Sequence, residues 1–241
     1  MAARDEFTAD ELDELFELRN TPAAHYILMN DIDLTEFIQD ENPTMGWTPI
    51  PDFSGELDGN GMTLSGLFIN RSSQSGVGLF SSLSGSTATV HDLIIDAPRI
   101  TGGNYTAVIA GQGTGIFYNI TVNEPVMTGA SYSGIVTGDG GGNIHDATIT
   151  SPRVSSASNR IGIITGEVSK ENTEIYNITI TNAQVAGGTY VGGIVGGMGN
   201  VTETSGSFYV TSRTISKNHY CGTIQSASSY AGASWAMSAI T

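Results

Sequence analysis

The sequence has very little cysteine and no long apolar run, and each scarcity excludes a class of protein. Cys221 is the sole cysteine, so an intrachain disulfide framework is excluded. No uninterrupted apolar stretch approaches the roughly 20 residues of a membrane-spanning helix, so no membrane span is expected. Acidic residues follow the first few residues where a secretory leader would be apolar, so no signal peptide is expected.

Basic residues are also scarce, and the charge is unevenly placed. The 241 residues include 24 acids against 9 lysines and arginines, which gives a formal net charge of −15. Residues 1–58 hold 15 of the acids with only Arg4 and Arg19. No basic stripe is present to neutralise phosphates, so nucleic-acid binding is not expected. An acidic chain whose only lysines are Lys170 and Lys217 is typical of proteins that stay soluble at high salt.

The sequence is rich in one repeat. A six-residue line recurs with an aliphatic residue at its end and Asp or Asn in its third position: Val90–Ile95, Phe117–Val122, Ile144–Ile149 and Ile175–Ile180. The Asp or Asn advances by 27, 27 and 31 residues. Two further apolar elements follow each line at similar offsets. Each repeat therefore contains three short strands separated by turns.

A period of this length selects the fold class. Propeller blades need about 40 residues and four strands, whereas one coil of a β-helix needs three short strands. Period-2 Ile, Val and Thr runs with Gly-rich turns exclude a helical solenoid. We therefore predict an all-β fold: a parallel β-helix of about six coils with a short N-terminal capping helix, right-handed because parallel crossovers almost always are.

The repeat divides the chain into three parts. Residues 1–52 are predicted to form the N-terminal capping helix and a leading strand, and residues 53–224 the β-helix repeats. The sequence Thr8–Glu11 is a capping box that predicts a helix from about Ala9 to Arg19. Such a helix would cover the exposed strand edges of the first coil.

Residues 225–241 form an apolar C-terminal segment without charge. Because an uncovered solenoid end is an aggregation hazard, we expect this segment to be a docking or end-capping element covered by a second copy, a neighbouring structural protein or further sequence. The predicted assembly contacts are Tyr230, Trp235, Met237 and Ile240.

A column of aromatic residues begins the third element of each repeat. If like positions stack, these side chains form a row along one edge: Tyr105, Tyr132, Arg160, Tyr190 and Tyr220. Arg160 would then lie over neighbouring rings as a cation–π partner. One interpretation is a ligand-binding platform for sugar rings or a partner protein. The other is packing, with each Tyr lying across its turn and its hydroxyl bonded to backbone.

The remaining polar groups are interpreted structurally. The column of Asp92, Asn119, Asp146 and Asn177 suits a corner, because these residue types tolerate a left-handed backbone and hydrogen-bond their own turns. A calcium ladder would prefer acids in every coil, so no metal and no cofactor are expected.

Catalytic residues are not expected either. A polysaccharide-degrading β-helix needs clustered carboxylates. The available acids, Asp139, Glu167, Glu171 and Glu174, are predicted to lie on loops, and the glycine run Gly138–Gly142 is predicted to be a turn.

Several segments resemble the Gly-rich β-helix repeats called GLUG repeats. The resemblance is carried by Tyr26–Leu34, Gly46–Ile50, Phe53–Ile69 and the motif Tyr190-Val-Gly-Gly-Ile-Val-Gly196, and it covers roughly residues 8–224. Such repeats occur in bacterial and archaeal surface proteins, in adhesins and beside metallopeptidase domains. The His-Glu-x-x-His motif of those peptidases is absent here. The resemblance therefore implies a scaffold and contact surface without imported chemistry.

These features favour a non-enzymatic structural or attachment protein that contacts a surface glycan or receptor. The expected setting is a virion component, such as a tail fibre, spike or capsid turret, since no signal peptide is expected and the C-terminal end is predicted to dock onto another chain. The alternative is a module of a secreted cell-surface adhesin. A polysaccharide-degrading enzyme is the third hypothesis, because a fold does not dictate a function.

Overall fold

The structure of the protein is a computed structural model. It describes Leu15 and residues 18–169 and 173–197, together with the backbone of strand residues 6–9, 198, 202–204, 207–209, 213–216 and 219–226. The strands are β1 (Glu6–Ala9), β2 (His25–Leu28), β3 (Ile32–Asp33), β4 (Glu56–Asp58), β5 (Thr63–Ser65), β6 (Phe68–Arg71), β7 (Phe80–Leu83), β8 (Thr89–His91), β9 (Ile94–Asp96), β10 (Arg99–Gly102), β11 (Ala110–Asn123), β12 (Val126–Thr128), β13 (Thr137–Thr150), β14 (Arg153–Ser155), β15 (Asn159–Ile161), β16 (Thr165–Val168), β17 (Thr173–Gly187), β18 (Thr189–Val191), β19 (Val195–Met198), β20 (Thr202–Thr204), β21 (Ser207–Tyr209), β22 (Arg213–Ser216) and β23 (His219–Ser226).

Parallel strands stack coil upon coil into a β-solenoid of about six turns, as predicted. The register places like residues over like. Val90 pairs with Leu57 below it and Phe117 above it, and Phe117 pairs with Ile144. The second strands of the repeats also stack in the predicted register, with Ile100 on Met127 and Met127 on Val154. Because alternate residues of each strand point inward, these columns form one continuous buried core.

The N-terminal region differs from the prediction in one respect. Thr8 and Ala9 belong to β1, which pairs in parallel with β2, so no helix begins at Ala9. Leu15 is helical, Leu15 and Leu18 are buried in the core, and the other residues from 10 to 17 lie outside the described part of the chain. Sequence analysis missed the short helix α1 (Thr35–Glu41), which buries Ile38.

The glycine run Gly138–Gly142 is part of strand β13 and not the predicted turn. A glycine is required here because the coil below is so close. A Cβ atom added to Gly140 would lie 2.0 Å from the backbone oxygen of Gly113, and one added to Gly142 would lie 2.0 Å from that of Gly115. The glycines thus permit close stacking of strands instead of reversing the chain.

The last coil has a different register from the predicted one. Ile215 pairs with Ile175 and Tyr220 with Ile180, whereas the repeat pattern places Ile215 over Val185 and Tyr220 over Tyr190. The cause is an insertion: β20 and β21 form an antiparallel hairpin where the pattern expects the first strand of the coil. Among the described residues, no helix has the length and apolar character needed to cross a bilayer.

Candidate functional site

The predicted aromatic column forms for four of its five members, which we call the Tyr–Arg ladder: Tyr105, Tyr132, Arg160 and Tyr190. The rings of Tyr105 and Tyr132 stack with centroids 4.8 Å apart. The guanidinium carbon of Arg160 lies 5.2 Å from the ring centre of Tyr132 and 5.6 Å from that of Tyr190. Arg160 is therefore sandwiched between two tyrosines, which is the cation–π arrangement that the sequence predicts.

All four ladder residues have a left-handed backbone, with φ values between 53° and 64°. The corner packs tightly on a column of glycines, since a Cβ atom on Gly138 would lie 2.6 Å from the backbone oxygen of Tyr132. Tyrosine and arginine rarely adopt this conformation, which costs a side-chain-bearing residue roughly 1–2 kcal/mol. The same conformation occurs at Ala97, Glu124 and Ser151 in successive coils, so the solenoid tolerates this cost at more than one column.

Two carboxylates lie beside the ladder, which contradicts their prediction as scattered loop acids. Asp139 on β13 and Glu167 on β16 are register partners in adjacent coils. Glu167 is only 8% exposed and forms an ion pair with Arg160, with 3.2 Å between Oε1 and Nε. Oδ1 of Asp139 is shielded from solvent and has no hydrogen-bond partner within the described residues. Glu174, also expected on a loop, lies in β17.

The surroundings of Tyr105 favour its neutral phenol. Burial raises the pKa of Tyr105, and the nearby Tyr132, Asp139 and Glu167 add to the effect against an opposing contribution from Arg160. A protonated phenol both donates and accepts hydrogen bonds. The ladder thus offers hydroxyl groups, ring edges and a carboxylate at one edge of the solenoid. Tyr190, 53% exposed, is its most accessible ring.

The other predicted contact residues are not part of this site. The backbone register of Tyr220 places it over Ile180, away from the ladder. The predicted assembly contacts all lie outside the described residues, as do residues 227–241 as a whole: Tyr230, Trp235, Met237 and Ile240.

A second aromatic column, which sequence analysis missed, lies on the first strands of the coils. We call it the His–Tyr stack: His91, Tyr118, His145 and Tyr176. Neighbouring ring centroids are 4.5, 5.4 and 4.7 Å apart, and their planes differ by 5–7°. The signal was present in the sequence, because each member directly precedes the repeating Asp or Asn.

The Asp and Asn corner forms as predicted and is closed by hydrogen bonds. All four members have positive φ. Asn119 Nδ2 donates to Asp92 Oδ1 at 2.8 Å, and Asn177 Nδ2 donates to Asp146 Oδ1 at 2.9 Å. Alternation of acid and amide thus converts a like-charge repulsion between coils into a hydrogen bond.

The comparisons with known proteins find partial similarity and no family. No family model matches the sequence, and no solved structure matches it significantly. Over 123 residues, 48% of this chain, it is 33% identical to halomucin of Haloquadratum walsbyi. Over 99 residues, 35% of the chain, it is 35% identical to a putative Gly-rich membrane protein of Evansella cellulosilytica. The matches span only 1% and 11% of those proteins, so the similarity is that of a segment to much longer chains.

Proposed function

We propose that this chain is a non-enzymatic structural and attachment module of a cell-surface protein, and that the Tyr–Arg ladder contacts a surface glycan or receptor. The observation that carries the proposal is the ladder itself: four side chains in unfavourable backbone conformations align at one exposed edge. Tyr and Arg are the residue types most enriched among residues that dominate binding energy.

The geometry favours recognition through ring edges and hydroxyl groups. The inner ring faces of the ladder are covered by Tyr105, Tyr132 and Arg160 themselves, so a sugar ring cannot insert between them. A ligand lying along the edge would meet the hydroxyl groups of Tyr105 and Tyr132 in adjacent coils, about 4.8 Å apart, and that of Tyr190 two coils beyond Tyr132, past Arg160.

The similar proteins favour the cell-surface alternative over a virion component. Both belong to cellular organisms, and one is named as a membrane protein. The acidic, lysine-poor composition agrees with life at high salt. A stiff in-register solenoid also suits a repeated segment of a long surface chain, because each coil needs only its neighbours for support.

The test measures how tightly the fluorescently labelled chain binds to intact cells of the source organism. The double variant Tyr132→Ala/Tyr190→Ala should bind at least about tenfold more weakly than wild type, because two contact tyrosines are lost. The matched control is Tyr118→Ala/Tyr176→Ala, which removes two rings from the His–Tyr stack and should bind normally. Circular dichroism verifies the fold of both variants.

Pretreatment of the cells separates the ligand classes. Periodate oxidation should abolish binding if the ligand is a glycan, whereas protease treatment should abolish it if the ligand is a protein receptor. If the ladder variant binds as tightly as the wild type, the ladder serves packing only. If the wild type binds neither cells nor envelope fragments, the attachment role is refuted.

One observation favours a second candidate, a polysaccharide-degrading enzyme. Asp139 and Glu167 lie in register on adjacent coils, and glycoside hydrolysis requires two carboxylates at close separation. Against it, Glu167 is buried in an ion pair with Arg160. Incubation with a panel of polysaccharides decides: new reducing ends or unsaturated products that vanish in Asp139→Asn would establish the enzyme.

A further inference from the structure

A cluster of titratable side chains surrounds His91, at the N-terminal end of the His–Tyr stack. The imidazole is 6% exposed. Its Nδ1 lies 2.6 Å from Oδ2 of Asp92 and 3.7 Å from Oδ1 of Asp58, and its Nε2 lies 2.9 Å from Oε1 of Glu56. Three carboxylates from two consecutive coils thus converge on one buried ring.

The ring is held in a fixed orientation. Tyr118 stacks on one face at 4.5 Å with nearly parallel planes. Glu56 binds Nε2 and also contacts Nδ1 of His25 at 2.5 Å, so its own position is fixed from the coil below. Nδ1 is hydrogen-bonded to Asp92, so a metal ion that binds Nδ1 must displace the proton of that contact. Glu56, which accepts the Nε2 proton, would then hold the tautomer whose Nδ1 lone pair faces the metal, and this is the usual support of a metal-binding histidine.

We propose that Nδ1 of His91, Oδ1 of Asp58 and Oδ2 of Asp92 bind a divalent transition-metal ion of the zinc type. The three ligand atoms already lie within 4.8 Å of one another. Zinc takes imidazole nitrogen and carboxylate oxygen at about 2.0–2.2 Å, which requires ligand atoms roughly 3.4 Å apart. Asp92 must therefore retreat slightly from the ring and Asp58 must approach it.

The two carboxylates can make these adjustments while the imidazole stays in place. The side chains of Asp58 and Asp92 are 31% and 38% exposed, against 7% for His91. Each aspartate also accepts a hydrogen bond, Asp58 Oδ1 from the backbone N–H of Asn60 at 2.7 Å and Asp92 Oδ1 from Asn119 Nδ2 at 2.8 Å. The shifts that zinc requires of them are below about 1 Å, so the imidazole need not move. A divalent ion would also neutralise the negative charge that Glu56, Asp58 and Asp92 concentrate around one ring.

The repeat supplies an internal control for this assignment. His145 forms the same contact with its own neighbour, with 2.7 Å from Nδ1 to Oδ2 of Asp146. In the coil below, however, Tyr118 occupies the position that Asp58 occupies below His91, and Ile116 takes the place of Glu56. This second dyad lacks the other two carboxylates, so it should not retain the ion.

The site differs from the calcium ladder that the sequence argued against. A calcium ladder would use only the corner column of Asp92, Asn119, Asp146 and Asn177. The proposed site takes just Asp92 from that column, and it takes the imidazole of His91 and the carboxylate of Asp58 from the column beside it. A mixed set of one imidazole and two carboxylates prefers transition metals to calcium.

Isothermal titration of ZnCl₂ into the chelator-treated full chain tests the proposal. Wild type should bind one zinc ion per chain. Asp58→Asn should weaken binding at least about tenfold because it removes a ligand, and Glu56→Gln should weaken it about tenfold because ligand orientation is lost. His145→Ala should bind as wild type does. Circular dichroism of each variant verifies the fold, and Asp58 is exposed enough for its variant to fold.

The titration has outcomes that would overturn the site. Absence of zinc binding at millimolar concentration in wild type is one, and equal affinities of wild type and Asp58→Asn is another. The variant His91→Asn tests the imidazole, in parallel titrations with ZnCl₂ and CaCl₂. If this variant binds both cations with the wild-type affinity, the carboxylates alone form the site and the proposal is refuted.

Discussion

The two aromatic columns on the outside of the solenoid are built in opposite ways. The His–Tyr stack lies on strand residues whose backbones are paired in register, and its rings are parallel within 5–7°. The Tyr–Arg ladder lies at corners with left-handed backbone, and its two stacked rings are tilted by 22°. Strand pairing therefore aligns the His–Tyr stack without strain, whereas the residues of the Tyr–Arg ladder align although their backbone conformation is unfavourable.

This difference identifies the column that calls for an explanation beyond packing. A residue that follows the sheet needs no further reason to stack. Positive φ also occurs at Ala97, Glu124 and Ser151, but among the described residues the ladder is the positive-φ column whose side chains form an aligned aromatic and cationic row, and strained backbone collects at functional sites.

The first prediction asks whether the columns or the core holds the coils together. Phe117 is 1% exposed and lies inward, next to Tyr118, which lies outward. Phe117→Ala should lower the free energy of unfolding by about 3–5 kcal/mol, since it leaves a cavity in a packed core. Tyr118→Ala should lower it by only about 1–2 kcal/mol, the value of its ring contacts. Urea denaturation measures both.

Equal losses at Phe117 and Tyr118 would mean that the outer stack supports the solenoid as much as the core does. The contrast between a supporting core and two surface columns would then be wrong. Phe117→Leu is the control, because it retains most of the buried volume and should cost less than Phe117→Ala.

The second prediction concerns the backbone under each column. At Tyr132, with φ of 64°, glycine relieves strain that alanine keeps, so Tyr132→Gly should be more stable than Tyr132→Ala by about 1 kcal/mol. At Tyr118, a strand residue, the order should reverse: Tyr118→Gly should be less stable than Tyr118→Ala by about 0.5–1 kcal/mol. Thermal or urea unfolding of the four variants gives both differences.

A common sign at the two positions would refute the distinction between strained and relaxed columns. The comparison of glycine with alanine cancels the loss of the ring, which both variants share. It therefore isolates the backbone from the side-chain contacts.

The sequence predicted those parts of the molecule that follow the 27-residue period. The stacking of the Asp and Asn corner, of the second strands and of the ladder up to Tyr190 is confirmed, because identical spacing puts like residues in stacked positions. The predicted position of Tyr220 in the ladder was wrong, because the hairpin of β20 and β21 interrupts the period. Spacing alone does not show where the inserted residues lie.

Other parts of the site depend on contacts that a linear pattern does not contain. Asp139 was assigned to a turn because glycines surround it, yet those glycines allow close strand stacking and bring it beside Glu167. The cluster at His91 required Glu56 and Asp58, which belong to a coil of irregular length and so fall outside the repeat. The His–Tyr stack, by contrast, follows the repeat and is predictable from it, because each of its members directly precedes the repeating Asp or Asn.

The third and smallest prediction concerns acid stability. The hydrogen bond from His145, together with that from Asn177, holds the pKa of Asp146 below its ordinary value. A carboxyl group with a lowered pKa in the folded protein stabilises it fully above the unfolded pKa, near pH 4, and loses this contribution as the pH falls further. Asp146 is largely exposed, so the effect should be only a few tenths of a kcal/mol. Asp146→Asn should therefore lose less stability than wild type between pH 6 and pH 3, measured as the shift in the urea midpoint. Tyr132→Ala, a ladder variant, should keep the wild-type pH dependence. The opposite result would be a wild-type pH dependence in Asp146→Asn and a reduced one in Tyr132→Ala. It would mean that the ladder, and not the contact between His145 and Asp146, causes the loss of stability in acid.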